Sequence, residues 1–417
     1  MTQHPNETPQ RVLVLAADTG EYDMAYSLQE MRELVRTAGG EVVGELVQKL
    51  EKPDSVTWLG KGKLAEAELY CHNLDVEVVV CDGELTATQR RAMEDILDRR
   101  VVDRTALILD IFALGAKTYE GKLQVALAQL KYSMANLTGQ GEALSRLGGG
   151  IGTRGPGESK LESDRRHIRR RIHALEEQLK SLSARRERRR DRRKKDGITT
   201  VALVGYTNAG KSTLLNALTN AGVLAENKLF ATLDPTSRAL KLPDGREVML
   251  IDTVGFLSRL PHLLVEAFKS TLEEAVSADV LLLVCDAADP AVEEQRQTAL
   301  DLLNELGARN KPVVTVYNKC DIAESYLLPV SRDTVKISAL NGTGIPMLLE
   351  TLADHLPEGC VTLRLLIPYD KAGVAAKMHA DAEVLEEAYA EDGIRMRVLL
   401  SRRLIGLVEA YVEEISP

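Results

Sequence analysis

Between Val201 and Leu218 the chain reads VALVGYTNAGKSTLLNAL. A run of β-branched and small apolar residues reaches Gly205, four residues intervene, and Gly210-Lys211-Ser212 opens a segment of good helix formers. This order of strand, tight loop and helix belongs to a parallel α/β layer, because a strand that feeds straight into a helix must cross over to its next neighbour. The loop residues Gly205, Tyr206, Thr207, Asn208, Ala209 and Gly210 offer their backbone N–H groups, and the helix start at Lys211, Ser212 and Thr213 adds its dipole, so the pattern makes a cradle for phosphate oxygens. In the pattern GxxxxGKS, Lys211 is placed to reach the β- and γ-phosphates and Ser212 to bind Mg²⁺.

The next strands carry matching chemistry. The run VMLIDTVGF ends at Asp252-Thr253-Val254-Gly255, where the aspartate can hold Mg²⁺ through water and Gly255 can give its N–H to a γ-phosphate. The run VVTVYNKCD ends at Asn318-Lys319-Cys320-Asp321. A carboxylate at Asp321 accepts both N1–H and N2–H of guanine, a pair that adenine cannot offer, and a buried acceptor left unpaired rejects the wrong base. In VKISALNGTG, the backbone of Ser338-Ala339-Leu340 is expected against the guanine O6. Together these strand ends point to a GTP-binding domain that hydrolyses GTP to GDP and phosphate. A threonine must close over Mg²⁺ when the γ-phosphate is present; in LFATLDPTSR both Thr232 and Thr236 qualify. Phe256 follows Gly255 where many GTPases carry a glutamine that orients water, so slow intrinsic hydrolysis is expected. Asn208 gives the loop the form GxxNxGKS, which suits a K⁺ ion beside the phosphates; the plainer role of the asparagine is to favour the turn.

Upstream, the apolar pattern changes twice. RVLVLAA, EVVGELV and VEVVVCDG read as strands between the helical patterns DMAYSLQEMRELVRTAG, KGKLAEAELYCHN and TATQRRAMEDILDRR, a small parallel α/β domain over residues 11–116. From 117 to 196 no strand pattern remains. Leu123, Leu127, Leu130, Met134 and Leu137 recur at fours and threes, as do Ile168, Ile172, Leu175, Leu179 and Leu182, the seam of a coiled coil. The seams mirror each other: Leu123/Leu182, Leu130/Leu175, Leu137/Ile168 and Leu144/Leu161 each sum to 305, and Leu127/Leu179 and Met134/Ile172 to 306. Folding the chain back near Gly152 makes an antiparallel helical hairpin, whose second helix from Ser159 to Lys195 is expected to reach about 55 Å before breaking at Gly197. Its tip, LSRLGGGIGTRGPGESKLE, holds six glycines between Gly148 and Gly157.

Charge is unevenly spread. The net charge is −9, yet Lys160 to Lys195 carries sixteen Lys or Arg against six Asp or Glu, or +10, which leaves −19 on the rest. An acidic body with one basic arm implies a polyanion partner at that arm alone. The hydrophobic share of 44% is that of a globular chain. Five scattered cysteines with no CxxC pair fit a reduced, cytoplasmic setting. No apolar run nears the ~20 residues a membrane helix needs, and MTQHPNETPQ (1–10) reads as a frayed tail. The segment LGKGK (Leu59–Lys63) lacks the phosphate-loop spacing and reads as a helix start, and the seven histidines show no metal-ligand spacing. A phosphate-loop domain spans 197–357, with a PDG hairpin turn at Pro243–Gly245; a small α/β module follows over 358–417, opening with the strand VTLRLLIPY and closing with the helix RRLIGLVEAYVEE. The fold class expected is α/β multidomain: a parallel α/β domain, an antiparallel coiled-coil hairpin, a P-loop GTPase domain of mixed sheet and helices, and a C-terminal α/β domain.

GGIGTRGPGESKLESDRR, DRTALILDIFALGAKTYEGKLQVALAQL and FATLDPT together resemble the HflX family of translation-associated GTPases, over nearly the whole chain. The resemblance implies that Phe230, Ala231, Thr232, Leu233 and Asp234 form the first switch, with Thr232 on Mg²⁺. It also implies binding to the large ribosomal subunit and its rRNA, splitting or rescue of stalled ribosomes under stress, and hydrolysis stimulated by the ribosome. The hairpin and the N-terminal domain would be the parts that reach RNA. The bare backbone at Gly148, Gly149, Gly150, Gly152, Gly155 and Gly157 can press close to RNA, while Arg146, Arg154 and Lys160 supply charge for phosphates. A monomer binding GTP or GDP is expected. Two other readings fit the residues: a signalling or scaffold GTPase that docks a protein through the hairpin, and an RNA-remodelling, helicase-like protein.

Overall fold

The computed structural model describes residues 8–145, 156–195, 197–219, 236–259, 261, 263–264, 275–323, 328–329, 331–356, 360–401 and 404–416. Its first sheet holds β1 (Gln10–Asp18), β2 (Gly40–Lys49), β3 (Val78–Cys81) and β4 (Arg100–Asp103), all parallel, in the order β2-β1-β3-β4. The crossovers are α1 (Met24–Thr37), α2 (Lys61–Asn73) and α3 (Ala87–Leu97). Val12 to Ala17 are buried without a break, because helices cover both faces of β1. Gln10 already pairs with Gly40, inside the stretch expected to fray.

The third helix is shorter than its sequence pattern suggests. It ends at Leu97, Asp98 turns left-handed at φ +48°, and Arg100–Asp103 pairs with β3 as a strand. Four residues with two valines carry no periodicity of their own; the open edge of β3 makes them a strand. Asp103 then caps α4 (Arg104–Gly115), accepting from the Ala106 N–H and from the Tyr132 hydroxyl at 2.8 Å. Burial raises the Asp103 pKa, and these donors oppose the shift.

Two long helices follow, α5 (Tyr119–Ser145) and α6 (Pro156–Lys195). The second begins three residues before the expected Ser159, and at 1.5 Å per residue its 40 residues span about 60 Å. Lys131 pairs with Glu176 at 3.1 Å, Arg186 with Glu120 at 2.8 Å, and the Tyr119 hydroxyl donates to Gln178 at 3.0 Å. Leu123, Leu127 and Ile172 are buried. Residues 146–155, with most of the glycine tip, lie outside the described residues, as do the side chains of Leu144, Lys160 and Leu161.

The second sheet is mixed. β10 (Thr334–Lys336), β9 (Val313–Asn318), β8 (Val280–Asp286), β5 (Thr199–Val204) and β7 (Glu247–Asp252) run parallel in that order, and β6 (Thr236–Lys241) closes the edge antiparallel to β7. α7 (Lys211–Thr219), α8 (Val292–Glu305) and α9 (Ile345–His355) flank it. Val254, Leu257 and Leu264, which follow β7, are buried in one apolar cluster with Val12, Met31, Ile108 and Phe112 of the N-terminal part.

The third sheet is antiparallel: β12 (Glu383–Ala390), β13 (Gly393–Ser401), β11 (Cys360–Ile367) and β14 (Val412–Ser416). Ala375 and Met378 of α10 (Ala372–Asp381) pack on Leu363, Leu365, Met396 and Val398. The expected closing helix is only α11 (Ile405–Val408) and a 3-10 turn; Val412–Ser416 is a strand. Helical spacing in RRLIGLVEAYVEE is overridden because Val412 and Ile415 pair with the free edge of β11.

Candidate active site

The phosphate loop grows from the end of β5 at the centre of the mixed sheet, where the strand order reverses direction and a crevice opens. Two of its glycines are required by geometry. Gly205 sits at φ +142°, where a Cβ would lie 2.1 Å from the Val284 carbonyl oxygen, and Gly210 at φ +94°, where a Cβ would lie 2.2 Å from Asn318 Nδ2. Asn208 occupies the left-handed region at φ +62°, which its short polar side chain tolerates.

Lys211 folds back along the loop. Its Nζ donates to the Gly205 carbonyl at 2.9 Å and the Tyr206 carbonyl at 2.8 Å. Burial pulls its pKa down to about 8, with Asp252 pulling the other way. The Ser212 hydroxyl donates to Asp252 Oδ2 at 2.8 Å, and Asp252 is fully buried at the end of β7. A hydroxyl and a carboxylate beside a phosphate cradle form the hard oxygen set that suits Mg²⁺. Thr253 turns inward, its hydroxyl donating to the Leu203 carbonyl at 2.6 Å.

Beyond Asp252 the chain crosses the loop. The Phe256 N–H donates to the Gly205 carbonyl at 3.0 Å, and the Thr207 N–H donates to the Phe256 carbonyl at 2.8 Å. The Phe256 ring is buried, edge-on to Tyr206 with centroids 6.4 Å apart. It brings no polar group to this position.

At the opposite end of the crevice, Asn318 acts as a joint. Its Nδ2 donates to the Ala209 carbonyl and its Oδ1 accepts the Ala339 N–H, each at 2.9 Å, which ties the phosphate loop to the Ser338–Leu340 turn. Lys319 is left-handed at φ +64° and its Nζ pairs with Asp286 at 2.6 Å. Cys320 donates its N–H to the Ile337 carbonyl, so the two base-side loops are stitched a second time. Asp321 is exposed, Ser338 and Ala339 are buried, and Leu340 stands out at 83% exposure. Thr213 and Val254 lie in place on α7 and after β7. The residues 230–234, with Thr232, lie outside the described residues, while Thr236 begins β6. Asp286 belongs to none of the sequence motifs; its place at the end of β8 is the one signal the sequence carries for it. Glu30, Asp82 and Arg104, which bond to residues 258 and 259, carry no local signal at all.

Among the described residues no helix is long and apolar enough to cross a membrane, and no group of three or more His, Cys, Asp or Glu is arranged to hold a metal. Comparison with known proteins agrees along the chain. Residues 25–113 match the family model described as GTP-binding GTPase N-terminal, 115–193 that of GTP-binding GTPase Middle Region, and 200–319 that of 50S ribosome-binding GTPase. The GTPase HflX of Caldanaerobacter subterraneus subsp. tengcongensis is 51% identical, covering 89% of this chain and 86% of its own. That of Lacrimispora saccharolytica is 49% identical over 93% of each chain. That of Escherichia coli K12 is 41% identical over 97% of each. With a phosphate loop at the head of a mixed sheet and matches of this identity along nearly its full length, the chain belongs to the HflX family of GTPases.

Proposed function

We propose that this GTPase is a GTP-switched factor that binds the large (50S) ribosomal subunit and splits or rescues stalled ribosomes under stress. The observation that carries the reading is α6. Arg166, Arg169, Arg170, Arg188 and Arg192 are exposed along this one helix, in a chain whose net charge is −9. A basic rod without stacking aromatics suits structured RNA, which is met by shape and backbone contact. The match of residues 200–319 to a 50S ribosome-binding GTPase family supports the same partner. In this reading α5 and α6 form an antiparallel coiled-coil hairpin over 117–196, between an N-terminal domain at 11–116 and a GTPase domain at 197–357, with a C-terminal domain at 358–417. Its tip places Arg146, Gly148–Gly157 and Lys160 against rRNA, and the protein works in the cytoplasm as a monomer.

At the nucleotide, the N–H groups of residues 205–213 and the Lys211 ammonium hold the phosphates. Ser212 and Thr232 would ligate Mg²⁺ directly and Asp252 through water; the ion's chemistry is to neutralise charge on the phosphates. Gly255 gives its N–H to the γ-phosphate, Asn208 serves a K⁺ ion, Asp321 reads guanine, and the Ser338–Leu340 backbone meets O6. Because Phe256 is buried against Tyr206 and orients no water, hydrolysis is slow until the ribosome stimulates it.

The test is steady-state GTP hydrolysis with and without purified large subunits, at fixed K⁺ and Mg²⁺. Strong stimulation that is lost on deleting 148–157 and weakens steeply with salt supports the reading, since each neutralised phosphate releases counterions. No stimulation at saturating subunits overturns the partner in favour of a scaffold GTPase. ATP-dependent strand separation that survives Lys211→Ala would favour RNA remodelling instead.

A further inference from the structure

The segment Asp252–Arg259 touches two bodies at once. On one side it lies on the phosphate loop through the two Phe256 backbone bonds. Gly255 comes so close that a Cβ there would sit 2.8 Å from Thr207 Cα and 2.9 Å from Lys211 Nζ. Its backbone is thus packed against the ammonium that serves the terminal phosphates.

On the other side the segment is clasped by the N-terminal domain. The Ser258 N–H donates to Glu30 Oε1 at 3.1 Å, and its carbonyl accepts from the Arg104 guanidinium at 2.9 Å. Arg259 donates to both Asp82 oxygens at 2.7 and 2.9 Å and to the Ser27 hydroxyl, and its guanidinium lies 3.7 Å from the centre of the Tyr22 ring. Beneath it, the buried Arg104 pairs with Glu30 and, at 2.9 Å, with Asp82. Arg104, Glu30 and Asp82 pair out of water, and the partly exposed Arg259 completes the charge balance from across the domain boundary. Arg259 holds this grip at φ +50°, a conformation that side chains other than glycine rarely adopt.

We propose that Glu30, Asp82, Arg104 and Arg259 form a latch that sets the balance between GDP and GTP. To give its N–H to a third phosphate, as proposed above, Gly255 must leave its seat against Thr207 and Lys211, so the segment must lift. Three residues downstream it is anchored, and three residues of chain span at most about 10 Å. The lift therefore strains the latch. GDP ends one phosphate earlier and does not. The latch weakens GTP binding selectively, and by linkage GTP loosens the N-terminal domain by the same factor. This rests on the nucleotide seating at Gly205–Ser212 proposed above.

The test is the binding of GDP and of a non-hydrolysable GTP analogue to the full chain, in the wild type and in Arg259→Ala. The latch predicts that the analogue binds at least fivefold tighter in the variant while GDP affinity stays within twofold. Tyr22→Leu, which removes the stacking face without leaving a carboxylate unpaired, should shift the analogue in the same direction by a smaller factor. Unchanged or weaker analogue binding in both variants, or an equal gain for both nucleotides, overturns the latch. If the wild type fails to bind GDP at all, the seating itself falls.

Discussion

Asn318 is the residue whose loss the structure prices most directly. Its side chain is buried, and its two amide bonds join the Ala209 carbonyl to the Ala339 N–H. Asn318→Ala removes both partners and leaves two backbone groups in a crevice. An unsatisfied buried polar group costs about 1–3 kcal/mol, so the pair is worth about 2–6 kcal/mol. The smaller side chain also withdraws support from Gly210, whose Cα approaches Asn318 Nδ2 too closely for any Cβ. The loss falls on both ends of the nucleotide crevice, so affinity for GDP and GTP should drop together. Calorimetric unfolding reads the stability, and nucleotide titration reads the affinity. Trp58, the single tryptophan, lies in the N-terminal part and reports separately on that domain. A variant less than 1 kcal/mol destabilised, with unchanged affinity for both nucleotides, would refute the joint.

Asp321 should behave in the opposite way. Because it is exposed, Asp321→Asn should change stability by less than about 0.5 kcal/mol, yet exchange an acceptor for a donor and shift preference from guanosine to xanthosine nucleotides; retained guanosine preference in competition binding contradicts the assignment. Burial holds the Lys211 pKa at about 8, below its ordinary 10.5. The unfolded chain then binds more protons between those values, and the nucleotide-free protein gains stability as pH rises through that window. An anionic nucleotide draws the proton back, so calorimetric heats of GDP binding in that window should differ between buffers of unlike ionisation enthalpy; identical heats would contradict it. If Asn208 serves a K⁺ ion, hydrolysis runs faster in KCl than in NaCl, and equal rates would remove that role.

What the sequence determined by itself was the chemistry held in short, fixed spacings. Gly205 to Ser212, Asp252 to Gly255 and Asn318 to Asp321 each sit at the end of a strand; backbone geometry demands Gly205 and Gly210, and phosphate, metal and base chemistry calls for the charged and hydroxyl residues. Longer helices were legible too, because α1 and α5 repeat an apolar face often enough to be read. Tertiary structure decided the rest. The strand β4 and the closing strand β14 have four and five residues, too few for a period, and exist because a neighbouring edge lacks a partner. The clasp on Ser258 and Arg259 joins positions as far as 232 residues apart in the chain. Glu30, Asp82 and Arg104 would read singly as ordinary helix and loop charges; only packing of the first sheet against the segment after β7 brings them together, and burial makes their pairing obligatory.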